Sequence, residues 1–324
     1  MTRMLRWSLL VVAVLATFLT GCGDDDASDE AAITGTTAPV DSTSTTTGPE
    51  ATTTTEAAAT TTSTSEPGTT PVPAGNVSNV YWSWTVDTTS AQTPEQLGAG
   101  GRSYGSEVAM EPADAVEALL EGPNELETEI GMTTLIPPET ELLGLEVSDG
   151  VAVVDLSGAY EDMNGTFGET VAIAQVVFTL TQFDTVDGVS FRIDGEDRDN
   201  IGPHGTGVEE PLTRDDFAQS VRPLILLETP TPGAEIGDEV VISGEANTFE
   251  ANVLYAITDG DGLIVAEGFT TATAGNGTWG SFEETVSFEA ETAGVGAVIV
   301  WEESAEDGSQ INVVEYPVDV GAAS

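Results

Sequence analysis

His204 is the one imidazole of this 324-residue chain and Cys22 its one thiol, so chemistry built on either group is confined to two places. His204 lies in Gly202-Pro203-His204-Gly205-Thr206-Gly207. A Ser/His/Asp arrangement would have to use it, yet a catalytic base must be held to within roughly 0.5 Å, and a glycine-flanked stretch supplies little restraint. Gly98 to Gly105 (GAGGRSYG) has no lysine and matches neither the dinucleotide-binding nor the P-loop spacing. It reads as a mobile loop. Carboxylates are the abundant group, with 56 Asp and Glu. Glycoside hydrolysis needs two of them about 5–9.5 Å apart, one with a raised pKa, and nothing in the spacing singles out a pair. Asp259-Gly260-Asp261-Gly262 and the acidic run Asp194 to Asp199 invite calcium. Leu263 and Ile201, at the fifth positions counted from Asp259 and Asp197, break the EF-hand pattern. The expectation is no catalytic residue, no dedicated metal site and no cofactor, with weak, delocalised binding of divalent cations at this charge density.

The basic residues are seven arginines against those 56 acids, a net charge of −49. Binding to nucleic acid or anionic lipid heads depends on clustered Lys and Arg, so both are excluded as partners of the folded part. One cysteine also excludes an internal disulfide, a thiolate zinc cluster and a CxxC redox pair. Arg3 and Arg6 precede an apolar run from Trp7 to Leu19, shorter than the roughly 20 residues of a spanning helix. That is the anatomy of a signal peptide, here residues 1–21. It ends in Leu19-Thr20-Gly21-Cys22, which resembles the lipobox of bacterial lipoproteins. The resemblance implies that the Cys22 thiol takes a diacylglycerol, that its amine becomes the new N-terminus, and that the protein sits on the extracytoplasmic face of the cell membrane. Two or more acyl chains, at about 0.8 kcal/mol per buried CH2, anchor a protein stably.

Residues 22–77 are rich in Thr, Ser and acid and read as a disordered linker, because such composition buries too little apolar surface to offset chain entropy. As a coil it would span roughly 40 Å, and fully extended roughly 150 Å. Apolar patterning begins at Val80-Tyr81-Trp82-Ser83-Trp84, an opening strand. Pro112 marks a helix start, Gly122-Pro123 its end, and Val116, Leu119 and Leu120 one face. Asp149-Gly150 is a type I′ hairpin signal between Leu143–Val147 and Val151–Leu156. A helix over 167–183 and a strand over 186–193 complete an α+β domain, 78–197, with helices on one face of a sheet. Residues 198–220 lapse into Gly, Pro and acid and read as a linker. Seven short β-rich runs between 223 and 318 then predict an all-β immunoglobulin-like sandwich over 221–320, with Trp279, Phe282, Phe288 and Trp301 as core or near-core aromatics.

Three blocks carry a family resemblance: Ala115 to Pro123 (AVEALLEGP), Leu135-Ile136-Pro137 leading to Asp149–Ser157 (DGVAVVDLS), and Ala174 to Asp194. Together they resemble the GerMN domain of sporulation and spore-germination lipoproteins. Pro230 to Ala234, Val241 to Gly244 and Ala305 to Ser309 resemble the immunoglobulin-like domain that accompanies it. The resemblance implies a surface-anchored module without catalytic residues, whose partners are other cell-envelope proteins. The expected contact surfaces are the loop 98–107, the hairpin tip at Asp149-Gly150 and free sheet edges. The alternative is a solute- or wall-polymer-binding lipoprotein in which Tyr81, Trp82 and Trp84 stack on a ligand.

Overall fold

The computed structural model describes residues 77–85, 95–103 and 110–321. The expected signal peptide, the lipobox residues Leu19, Thr20 and Gly21, the lipidation site Cys22 and the tether as far as residue 76 lie outside the described residues. Val77 already opens the first strand.

In the first domain β1 (Val77–Trp84) pairs antiparallel with β2 (Gln96–Ser103) along its whole length, from Val77 opposite Ser103 to Trp84 opposite Gln96. Thus the stretch expected as a loop at 98–107 is a strand as far as Ser103, and residues 104–107 lie outside the described residues. Glycine is a poor strand former, which hides the element from pattern reading. It is required here by close approach: a Cβ on Gly100 would stand 2.0 Å from Glu127 Oε1 and 2.5 Å from Trp82 Nε1. One on Gly101 would stand 2.3 Å from Thr231 Oγ1 of the second domain.

Helix α1 (Pro112–Glu121) starts at a Glu111/Asp114 capping box and ends at Gly122, whose φ is 87°. Helix α2 (Glu125–Glu129) is capped reciprocally by Asn124 and Glu127. Short β3 (Met132–Thr133) pairs with β1. Strands β4 (Leu142–Ser148) and β5 (Val151–Leu156) form the expected hairpin, with Asp149 and Gly150 at φ 52° and 83°. Helix α3 (Gly165–Leu180) crosses over to β6 (Gly188–Ile193), which runs parallel to β5. Apolar almost all round, α3 is buried almost all round, packed against β1, α1 and β6.

Residues 198–220, expected as a linker, form packed structure that begins before Arg198. β7 (Glu196–Asp197) pairs with β6, and β8 (Asn200–Ile201) pairs with β9 (Thr206–Gly207). Leu212 bridges to Val189. Ile201, Val208, Phe217 and Val221 are buried. These apolar residues are too widely spaced to stand out in a Gly- and acid-rich window, and each nevertheless reaches a core.

The second domain is the expected sandwich. One sheet orders β10 (Ile225–Thr229), β12 (Glu239–Ala246) and β15 (Gly280–Ser287). The other orders β11 (Glu235–Ile236), β17 (Gln310–Val320), β16 (Gly294–Glu303), β13 (Asn252–Thr258) and β14 (Ile264–Thr271). Phe282 and Phe288 are buried in it, while Trp279 and Trp301 are half-buried. The two domains are parts of one compact unit with one apolar core. Leu97 N–H donates to the Val221 carbonyl at 3.0 Å, Ala99 N–H donates to the Tyr316 hydroxyl at 3.0 Å, and the Trp84 and Tyr316 rings lie 5.3 Å apart.

Candidate functional site

His204 stands at the turn between β8 and β9, where Gly202 and Gly205 adopt φ values of 80° and 72°. Its backbone N–H donates to Glu169 Oε1 at 2.8 Å, its ring Nδ1 lies 2.8 Å from the same oxygen, and Thr206 Oγ1 donates to Glu169 Oε2 at 2.6 Å. Glu169 projects from α3 and its side chain is fully buried, whereas the His204 side chain is half exposed. Burial by itself would raise the Glu169 carboxyl, but the bonds from Thr206 and His204 together outweigh it and hold the group below its ordinary value. The hydrogen bonds described for His204 all go to Glu169. This is a clasp fastening a hairpin to a helix, built from polar groups that satisfy one another.

Asp259 Oδ1 folds back to accept the N–H groups of Asp261 and Leu263 at 3.0 Å, and Asp261 accepts from Thr292. Asp194 and Gly195 form the turn into β7, Asp194 accepts from Gly158 N–H, and Asp197 pairs with Arg192 at 2.7 Å. Among the described residues no three His, Cys, Asp or Glu side chains converge as a metal cage would need. Tyr81 and Trp82 are fully buried and Trp84 is 5 % exposed, with its indole N–H on the Ile130 carbonyl. The aromatic trio of the ligand-binding alternative is therefore core and has no face free to stack on a sugar.

One polar centre escapes sequence reasoning. Arg214, in a single 3-10 turn before the second domain, reaches between the two domains. Its Nη2 donates to the Tyr81 hydroxyl at 2.9 Å, its Nη1 lies 2.9 Å from Glu228 Oε1 and 3.1 Å from Glu245 Oε2, and its Nε donates to Thr181 Oγ1 at 3.2 Å. The guanidinium also lies over the rings of Tyr81 and Phe178, at 5.2 and 5.0 Å. The Tyr81 hydroxyl donates to Glu228. Burial lowers the Arg214 pKa, but the Glu228 and Glu245 carboxylates raise it further, so the cation is fixed. Burial, aided by the Glu228 charge, raises the Tyr81 hydroxyl well above its usual range despite Arg214, and it stays a donor. Arg222 extends the network to Glu245 at 3.0 Å and lies over the Trp279 ring at 4.5 Å. A polar hollow of about 330 Å³ opens beside the centre, lined by Asn79, Gln182, Thr229 and Ser243 as well as by the ion-paired groups. The available signal was scarcity: five arginines follow residue 21, and all five are ion-paired in the structure.

Residues 79–199 match the protein family described as sporulation and spore germination. Residues 224–309 match the immunoglobulin-like domain of bacterial spore germination. No curated protein sequence matches the chain. Among solved structures, the first GerMN domain of the sporulation protein GerM from Bacillus subtilis is 21 % identical, with a TM-score of 0.34, over 43 % of this chain and 98 % of that one. The tandem GerMN domains of the same protein are 16 % identical, with a TM-score of 0.35, over 65 % of this chain and 61 % of that one. The chain therefore carries, in order along one compact unit, a region that matches the sporulation and spore germination family and a region that matches the immunoglobulin-like domain of bacterial spore germination.

Proposed function

We propose that the chain is a non-catalytic, lipid-anchored protein on the extracytoplasmic face of the cell membrane, acting through contact with other envelope proteins in sporulation and germination or in envelope assembly. The observation that carries this reading is the order of parts: a leader ending in Leu19-Thr20-Gly21, the sole cysteine at 22, a Thr/Ser-rich tether, and two germination-family domains welded by Arg214. A tether of this composition holds a rigid head away from the membrane, which suits a contact module. Weak binding of divalent cations to the acidic surface belongs to the same proposal.

The test is Cys22→Ser in the source bacterium. The wild-type chain should fractionate with membranes and incorporate a labelled fatty acid, and the variant should do neither; a variant still carrying label would defeat the anchor. Crosslinking of the anchored chain in cells should capture a protein neighbour, and recovery of wall glycan alone would favour the ligand-binding alternative.

A further inference from the structure

Directly opposite residues of paired strands point to the same face of a sheet, so pairing register reveals which side chains share a surface. In the five-stranded sheet, Val253, Tyr255 and Ile257 of β13 and Val298 and Val300 of β16 are buried on one face. On the other face Phe269 of β14 stands opposite Leu254 of β13, which stands opposite Trp301 of β16. The next row runs Glu267, Ala256, Ile299, Glu315. Phe269 is 66 % exposed, Ile264 62 % and Val295 57 %, and Leu254, Ile299 and Trp301 are half-buried. An apolar centre of this kind on a sheet face marks an interaction surface.

Charge identifies what covers it. Residues 252–320, which include β13 to β17, contain no Lys, Arg or His, and Glu267, Glu303, Glu315 and Asp319 stand exposed on these strands. A second copy would bring the same acidic rim and a net charge of −49 against −49. The acidic tether has neither aromatic residues nor cations to offer. We propose that this outer sheet face, centred on Phe269, Leu254, Trp301 and Ile299, docks a protein surface that is apolar at its centre and carries Lys or Arg at its rim. The inference rests on the protein-contact reading above and gives it a place and a partner chemistry. Opposed charge around an apolar centre supplies steering and register, while burial of the centre supplies affinity.

The probe is a labelled eleven-residue peptide of alternating Leu and Lys, titrated with the full chain and followed by fluorescence anisotropy. It should bind at least about tenfold more tightly than Ser/Lys and Leu/Glu analogues, and more weakly as salt rises. F269S and V295S, both at sites more than half exposed, leave net charge unchanged and should each weaken binding; E267Q and E315Q should weaken it independently. Melting temperatures within a few degrees of wild type verify folding, and the two apolar variants serve as checks on each other. Equal binding of the Ser/Lys analogue, indifference to both apolar variants, no binding, or self-association of the wild type that F269S suppresses would each overturn the proposal. If these fail while crosslinking in cells still captures a protein, the envelope-contact function stands and only this face is lost.

Discussion

His204, the one imidazole that catalysis could have used, serves structure instead through its bonds to Glu169. A fully buried carboxylate is tolerable because three donors converge on it: two from His204 and one from Thr206. E169Q keeps the shape but replaces one acceptor oxygen by an amide donor facing existing donors, so urea unfolding at neutral pH should show a loss of about 1–3 kcal/mol. The pH dependence has a definite sign. Because the folded Glu169 carboxyl lies below its ordinary value of 4.5, its stabilisation is fully present above that pH and is lost as pH falls through the lower folded value. The gap in melting temperature between wild type and E169Q should therefore narrow below about pH 4.5, and a constant gap through that range would refute the assignment.

At the scale of elements, β2 is the instructive case. Its neighbours are large and close on both sides: Trp82, Trp84, Met132 and Glu127 of the first domain, Thr231 and Tyr316 of the second. Only a strand stripped of side chains at positions 98, 100 and 101 fits between them. G100A would press a methyl group into the Glu127 carboxylate and the Trp82 indole, and should cost about 1–3 kcal/mol in equilibrium unfolding. A loop, as the glycine content suggested, would accept alanine with little change. Glu127 cannot retreat easily, since its buried carboxylate accepts from Arg102 Nη1 and Nη2, each at 2.7 Å.

At the scale of the whole molecule, a shared core and a shared cation make two domains one folding unit. Calorimetry should show a single cooperative transition, and two separable transitions would contradict the shared core. R214M retains much of the packing on Tyr81 and Phe178 but leaves Glu228 and Glu245 without their cation. Removing one partner of a buried pair costs about 3–5 kcal/mol; Glu228 and Glu245 keep 21 % and 23 % of their side-chain surface exposed, so a loss of about 2–4 kcal/mol is expected, measured by chemical unfolding.

Period and punctuation were enough to determine much of this architecture without a structure. Pro112 and Gly122 bounded α1, Asp149-Gly150 set the β4–β5 hairpin, and alternating runs between turn residues disclosed all seven principal strands of the sandwich, because each is a local property of neighbouring residues. The glycine strand, the clasp at Glu169, the role of Arg214 and the fusion of the domains were decided only by tertiary contact. Those features depend on groups 35, 133 and 147 positions apart in the chain, such as His204 with Glu169, Arg214 with Tyr81, and Tyr81 with Glu228. No local periodicity encodes such meetings, since they arise from where α3, β1 and β10 are brought together when the cores close.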